Sequence, residues 1–305
     1  MTVINTNINS LVSQNALVRN NRALSGSMEQ LSTGKRINSA SDDAAGLAIS
    51  SRMTAQIRGL DQAVRNANDG ISLLQTAEGA MIEITNMLQR MRELSVQAGN
   101  DTYTGDDRSS LNLEYGQLMQ EINRIAQNTQ WNGMDIMNNS SEFGTGGTIA
   151  NPEAAGSELR NIKLQVGANS SQTISAQFKN FTFDNDPTVV PATTDVFSGN
   201  ARINNTDVLS AANANNAMDR LDAAILKVDD ERALYGAIMN RLTYAADNLT
   251  NVSQNTSASR SRILDTDYAK ASSELARTQI IQQAATAILA QANQSQQSVL
   301  KLLQG

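Results

Sequence analysis

No cysteine and no histidine occur anywhere in the 305 residues. Their absence removes disulfides, thiolate nucleophiles, imidazole bases and every Cys/His zinc site from consideration. Aromatic residues make up only 4%, and proline occurs three times, at Pro152, Pro187 and Pro191. The first scarcity implies a thin core of Leu, Ile, Val, Met and Ala. The second confines helix-breaking to the middle third and leaves both flanks free to be helical. The net charge of −6 argues against a nucleic-acid partner. No run is long and apolar enough for membrane insertion. The start, Met1-Thr-Val-Ile-Asn-Thr-Asn-Ile8, lacks the basic and apolar regions of a cleaved Sec-type signal peptide, so any export is expected to take another route.

What the chain does have is helical periodicity at both ends. Ile281, Ala285, Ile288, Ala292, Ser295, Val299 and Leu302 follow 4, 3, 4, 3, 4, 3 spacing, an a/d seam on one long helix. The intervening residues are mostly Gln, Ala, Asn and Ser, so the seam needs a partner. Ile4, Ile8, Leu11, Leu17, Leu24, Met28 and Leu31 form a matching candidate in a helix over 5–33. The two seams are expected to pack together or on neighbouring molecules. Gly34 reads as the C-terminal cap of the first helix, with Lys35 and Arg36 as its solvated end. Ser41 or Asp42 can cap the next helix, and Asp42 and Asp43 suit the positive end of its dipole; capping rather than metal ligation is expected of the two acids, because adjacent helical residues point apart. They open a helix of about 55 residues, roughly 80 Å long by its rise per residue, too long for a compact domain and suggestive of a rod. Its seam is Ile57, Leu60, Val64, Ala67, Ile71 and Leu74, then after a phase shift at Ala77, Met81, Ile84, Leu88 and Met91.

Asp106 and Asp107 are expected to cap a third helix with seam Leu111, Tyr115, Leu118, Ile122 and Ile125, ending at the Trp131-Asn-Gly133 turn. Alternating Ile162, Leu164, Val166 and Ile174, Ala176, Phe178 predict a β-hairpin. Phe181 and Phe183 continue or flank it, and the remainder to about 210 reads as surface loop. Helical period then returns through Met218, Leu221, Ile225, Val228, Tyr235, Ile238, Leu242, Ala245, Leu249, Val252 and Ile263, with a break at Asp265-Thr-Asp267. The fold class is therefore mainly α: a long helical coiled-coil rod with antiparallel N- and C-terminal halves and a small β-hairpin subregion.

These residues carry a family resemblance. Val3-Ile-Asn-Thr-Asn7, the block Leu31-Ser-Thr-Gly-Lys-Arg-Ile-Asn-Ser-Ala-Ser-Asp-Asp-Ala-Ala-Gly-Leu-Ala-Ile49, Asn66-Ala-Asn-Asp-Gly-Ile71, Leu88-Gln-Arg-Met-Arg-Glu-Leu94 and Thr129-Gln-Trp-Asn-Gly133 resemble bacterial flagellin. So do Gln165-Val-Gly-Ala-Asn169, Gln172-Thr-Ile174, Ser261-Arg-Ile263, Asp265-Thr-Asp267 and Leu289-Ala-Gln-Ala-Asn293. The match covers roughly residues 1–180 and 206–305. Trp131 stands where the family usually has Phe, and the end Leu302-Leu-Gln-Gly305 is slightly longer and more polar than common versions. The outer variable domains are nearly absent: about 25 residues remain between hairpin and returning helix, too few for an independent core.

The resemblance implies a structural, self-assembling filament subunit with no cofactor, no metal and no enzymatic activity; the alternative is a hook–filament junction protein. A metallopeptidase insert is excluded by the missing histidines, and a generic coiled-coil adhesin or secretion translocator would not explain the ordered motif set. It implies an inner terminal-helix domain (1–40 with 268–305), a helical rod domain with the hairpin (41–181 with 206–267) and a short variable insert (182–205). Inner-domain packing would use Ile4, Ile8, Leu11, Leu24, Leu31, Ile281, Ala285, Ile288, Ala292, Val299 and Leu302. Implied partners are further copies of the chain, an export chaperone on the C-terminal helix, the filament cap and hook-associated proteins, with the product in the extracellular flagellum. By resemblance, Gln89, Arg90, Leu94, Gln97 and Glu114 match the epitope of a vertebrate Toll-like receptor, though on physical grounds Arg90, Leu94 and Glu114 read as ordinary surface or edge residues. Leu300, Leu302 and Leu303 match a contact for a cytosolic innate sensor.

Overall fold

The computed structural model describes residues 7–138, 160–182, 196–197, 199–203 and 206–303. Five helices dominate: α1 (Ile8–Thr33), α2 (Ala44–Ala98), α3 (Gly105–Asn128), α4 (Ala211–Leu264) and α5 (Tyr268–Leu303). Two antiparallel strand pairs join them, β1 (Gln130–Trp131) with β2 (Met134–Asp135), and β3 (Arg160–Gln165) with β4 (Thr173–Phe178). The chain forms two compact units, residues 1–58 with 252–305, and residues 59–251.

In the first unit α1 starts at Asn7, whose side chain accepts from the Ser10 amide, and stops at Gly34. Gly34 adopts φ 68°, the left-handed conformation that glycine tolerates best, and its N–H bonds to Gln30 O. The connectors after α1 and before α5 then clasp each other antiparallel. Arg36 N donates to Leu264 O at 2.7 Å and Thr266 N to Gly34 O at 3.0 Å, bracketing a bridge between Lys35 and Asp265. The cap of α2 is neither Ser41 nor Asp42 but Asp43, which accepts from Gly46 N at 2.8 Å. Asp42 instead accepts from the Asn38 and Ser39 amides and folds the connector; those backbone bonds, Ser39 first, hold its carboxyl below the usual carboxylate range.

The second unit is built on a heptad seam that the apolar pattern only half reveals. One stripe of buried positions on α2 runs Leu60, Ala63, Ala67, Gly70, Leu74, Ala77, Met81, Ile84, Leu88, Met91, Ser95 and Ala98, with unbroken 3/4 spacing, and Leu73, Thr85 and Leu94 are buried beside it. The expected phase shift at Ala77 is absent, and Val64 and Ile71 are flanking, half-buried residues. Gly70 holds the seam because neighbours approach closely there: a Cβ on it would collide with Leu164 of β3 and meet Leu242 of α4 at 3.3 Å. Antiparallel α4 presents Ala214, Ala217, Leu221, Ala224, Val228, Glu231, Tyr235, Ile238 and Leu242, again 3/4 spaced and all buried. Met218 and Ile225 flank that stripe, and Val252 is exposed rather than part of the seam. A 3.5-residue period on facing helices is the coiled-coil geometry the fold class requires.

Helix α3 is capped by Thr104, not by the two aspartates alone. Thr104 accepts from the Asp107 amide while Asp107 accepts from the Thr104 amide, a capping box whose hydrogen bonds also lower the Asp107 carboxyl. The hairpin pairs as expected, with Leu164 opposite Ile174 and Ile162 opposite Ala176. Its inner face buries Ala176 and Phe178, and Asn66 Nδ2 ties it to α2 through Gln165 O at 3.0 Å. The segment after it is not merely surface loop. Val196, Phe197, Ala201 and Ile203 are buried, and Phe197 meets Phe181 edge-on with centroids 6.2 Å apart. Phe183, Pro152, Pro187 and Pro191 lie outside the described residues.

Gly79 lies within α2, and nothing comes within 4 Å of where a Cβ on it would stand. A mid-helix glycine there costs backbone entropy with no packing return. Gly79→Ala should raise the unfolding free energy by about 0.5–1 kcal/mol. Chemical denaturation reads this directly, and a loss of stability would mean that the position has a steric role in the lone chain.

Candidate functional site

The surface of interest is the pair formed by α1 and α5, because its polarity is inverted. The stripe of α5 that is buried or half-buried runs Ala271, Leu275, Thr278, Gln282, Ala285, Leu289 and Ala292. On α1 the matching stripe is Ser10, Ser13, Leu17, Asn20, Leu24, Ser27 and Leu31. Polar and small residues thus fill much of the contact. Asn20 Nδ2 donates to Thr278 O at 2.8 Å, Asn7 Nδ2 to Ala292 O at 3.1 Å and Gln282 Nε2 to Asn21 Oδ1 at 3.2 Å. These bonds satisfy the polar atoms and pin one antiparallel register.

Within one chain the expected terminal seam divides between an inward and an outward face. Leu24, Leu31, Ala285 and Ala292 do face inward. Ile8, Leu11, Ile281 and Ile288 do not; Ile8 and Ile288 are 59% and 58% exposed. Val12, Val18, Met28 and Ile280 join them on the outside. Ile4 and the side chains of Ser295, Val299, Leu300, Leu302 and Leu303 lie outside the described residues. The physical reason is that a two-helix pair can satisfy only one stripe per helix, and hydrogen-bonding Asn and Gln have taken it. An open groove of about 580 Å³ runs beside the contact, lined by Asn9, Val12, Ser13, Ala287, Ile288, Gln291 and Ala292. Covering this apolar exterior with another surface would release on the order of 5–10 kcal/mol per chain before ordering costs.

A second cluster lies on α2 and α3. The Arg90 guanidinium bridges Glu93 and Glu114, each at 2.9 Å, and these carboxylates raise its pKa further. Gln89 is exposed, and Gln97 donates to Tyr103 Oη at 3.1 Å. Leu94 is corrected: only 1% exposed, it belongs to the core below this face rather than to the surface. Exposed ion pairs of this kind contribute little stability, so folding alone gives the cluster no role.

Sequence reasoning missed a buried charge. Glu231 occupies a seam position of α4, its side chain 3% exposed, paired with Lys179 at the end of β4. Its Oε2 has no hydrogen-bond partner among the described residues. Tyr235, one turn on, stacks obliquely on Phe178 at 5.3 Å; burial, then the Glu231 charge, pushes its phenol well up. Tyr115, bonded to Thr206 Oγ1 at 2.6 Å, is pushed by burial to about 12. Nothing in a hydrophobic-period reading marks a Glu as core; only its i, i+4 relation to Tyr235 hinted at it. Among the described residues no group of three acidic side chains could hold a metal ion, and no helix is long and apolar enough to cross a membrane.

Comparison with known proteins places this geometry. Residues 4–142 match the bacterial flagellin N-terminal helical region, and residues 218–303 the bacterial flagellin C-terminal helical region. A flagellin of Halalkalibacterium halodurans is 44% identical over 276 residues, covering 90% of each chain. Flagellin A of Vibrio cholerae is 37% identical over 375 residues, covering 99% of each. The flagellar filament 33 kDa core protein of Treponema phagedenis is 40% identical over 301 residues, again 99% of each. The crystal structure of Bacillus cereus flagellin aligns with 64% of this chain and 94% of its own, with a TM-score of 0.46 and 30% identity. Matching family regions at both ends and near full-length relatives agree: the chain belongs to the bacterial flagellins.

Proposed function

We propose that the chain is a structural subunit of the bacterial flagellar filament and that the outward faces of α1 and α5 are where copies join. The observation that carries this is the inverted polarity of that helix pair: Ile8, Leu11, Val12, Ile281 and Ile288 exposed, Asn20 and Thr278 buried. A lone chain gains nothing from such an arrangement, whereas a polymer buries it. The hook–filament junction reading has no support from relatives named flagellin or filament core protein over 90–99% of this chain. Purified chain mixed with short sonicated seeds of itself should grow long filaments visible by electron microscopy. Seeds that never elongate at any subunit concentration would refute the assembly role.

Residues 1–40 with 268–305 form the inner layer of the proposed polymer, residues 41–181 with 206–267 its rod layer, and 182–205 the outward insert. Delivery uses the flagellar type III apparatus, with an export chaperone on α5 as a helix-in-groove partner and the cap and hook-associated proteins at the filament ends. Host receptor recognition centres on the exposed Arg90–Glu114 pair with Gln89 and Gln97, Leu94 acting from beneath as support. Leu300, Leu302 and Leu303 serve the cytosolic sensor. An Arg90→Ala monomer should keep its thermal unfolding and lose Toll-like receptor signalling at least tenfold, about what a charged hydrogen-bonded contact supplies. Undiminished signalling from that variant would leave the pair with no receptor role.

A further inference from the structure

Asn132 and Gly133 are the sole Asn-Gly step in the sequence. They form the two-residue turn between β1 and β2, with Trp131 opposite Met134 and Gln130 opposite Asp135. Both turn residues have positive φ, 49° for Asn132 and 74° for Gly133, as a type I′ turn requires. Both are exposed, and the space beside Gly133 is open. Among the described residues the Asn132 carboxamide makes no hydrogen bond and the Gly133 N–H has no acceptor. Most other asparagines in the described chain sit in helices, where the following amide is committed to an i−4 carbonyl. Asn38 lies in a connector but is pinned: its side chain donates to Lys35 O at 3.1 Å, and the Ser39 amide is held by Asp42 at 2.9 Å.

We propose that Asn132 is a site of spontaneous covalent modification, converting to aspartate and isoaspartate through the Gly133 amide. The Gly133 nitrogen, its proton taken by hydroxide, bonds to Asn132 Cγ, and the side-chain nitrogen leaves as ammonia, closing a five-membered succinimide. Water then adds to one of the two ring carbonyls. Opening on one side leaves an aspartate at this position on an unchanged main chain; opening on the other routes the main chain through Cγ. The sum is amide plus water to carboxylic acid plus ammonia, with no oxidant or enzyme. Glycine matters as nucleophile because it has no Cβ to obstruct the attack. A folded two-residue turn restricts the main-chain rotation that ring closure needs, so the step is expected to wait on the hairpin opening. With only two residues per strand that opening is cheap.

The two products differ in consequence. Aspartate tolerates the left-handed conformation and keeps the turn. Isoaspartate lengthens the main chain by one atom inside a two-residue turn, so Trp131 and Met134 can no longer pair. The strand pair leads directly into buried Ile136 and Met137, and Met137 O accepts from Phe181 N at 2.9 Å, so the lesion reaches the unit's aromatic contacts.

The test follows the full unmodified chain in mildly alkaline buffer, by peptide mass mapping at successive times. The peptide carrying Asn132 should gain the amide-to-acid mass difference and split into two chromatographic species. Its conversion should run several-fold faster than that of Asn169, which precedes Ser170 in an equally exposed loop, and of Asn38. It should run faster still when the chain is unfolded in urea. Conversion of Asn132 no faster than that of Asn169, or equal rates in folded and unfolded chain, would overturn the proposal.

Discussion

Lys179→Met should destabilise the second unit by about 3–5 kcal/mol, the usual cost of leaving a buried charge without its partner. Glu231 stands at a seam position of α4 between Val228 and Tyr235, and its side chain is 3% exposed. Only Lys179 reaches it with a compensating charge among the described residues, and one carboxylate oxygen is already unpartnered. Without the ammonium the carboxylate must stay charged in an apolar layer, take up a proton, or drag water into the seam, and each course costs free energy. For a unit of this size the loss lowers the unfolding midpoint by roughly 10 °C. Trp131, the chain's single tryptophan, packs against the same core and reports the transition by fluorescence.

The companion variant decides the cause. Adding Glu231→Met to Lys179→Met removes the stranded charge and should recover most of the stability, because an apolar pair of similar volume often equals or exceeds a buried ion pair. A double variant as unstable as the single one would assign the loss to packing of the lysine stem, not to the charge. Lys179 follows Phe178, whose ring lies on Tyr235, so hairpin and helix are joined at this point by stacked rings as well as by charge.

That pair shows where sequence reading stops. The long helices were legible because 3/4 spacing persists over tens of residues, and the β3–β4 hairpin because alternation survives on both strands. The α2 seam was misphased at Val64 and Ile71 because a hydrophobicity pattern passes over Ala63 and Gly70. Gly70 is core only because Leu164 and Leu242 press on it. Glu231 was invisible for the converse reason, since its partner is remote in the chain, just past the end of a strand. Thr104 caps α3 yet does not stand out in the sequence beside two conspicuous aspartates. In the α1–α5 pair Asn20, Thr278 and Gln282 occupy the inner contact while Ile8, Ile281 and Ile288 face out, a division that hydrophobic spacing alone does not make. A chain whose best apolar stripe faces outward is written for a contact that one copy cannot make.

Ala292→Trp should abolish filament growth while leaving the second unit as stable as the parent. Ala292 is half-buried where α5 meets α1; its carbonyl accepts from Asn7 Nδ2 and its side chain borders the open groove beside Val12 and Ile288. An indole there must displace α1 or fill the groove that a neighbouring copy would enter. Overpacking costs about 1–3 kcal/mol at a closed contact. In a polymer that penalty recurs at every subunit, so even the lower figure moves the critical concentration by about fivefold and the upper by more than about a hundredfold. Position 292 belongs to the other compact unit, so amide exchange at Met81 and Leu88 of the α2 core should be unchanged. Ala292→Ser, which keeps the volume small, should polymerise like the parent and so separate size from chemistry. Filaments of normal length from the tryptophan variant would place the joining surface elsewhere, and loss of polymer in both variants would overturn side-chain volume as the cause.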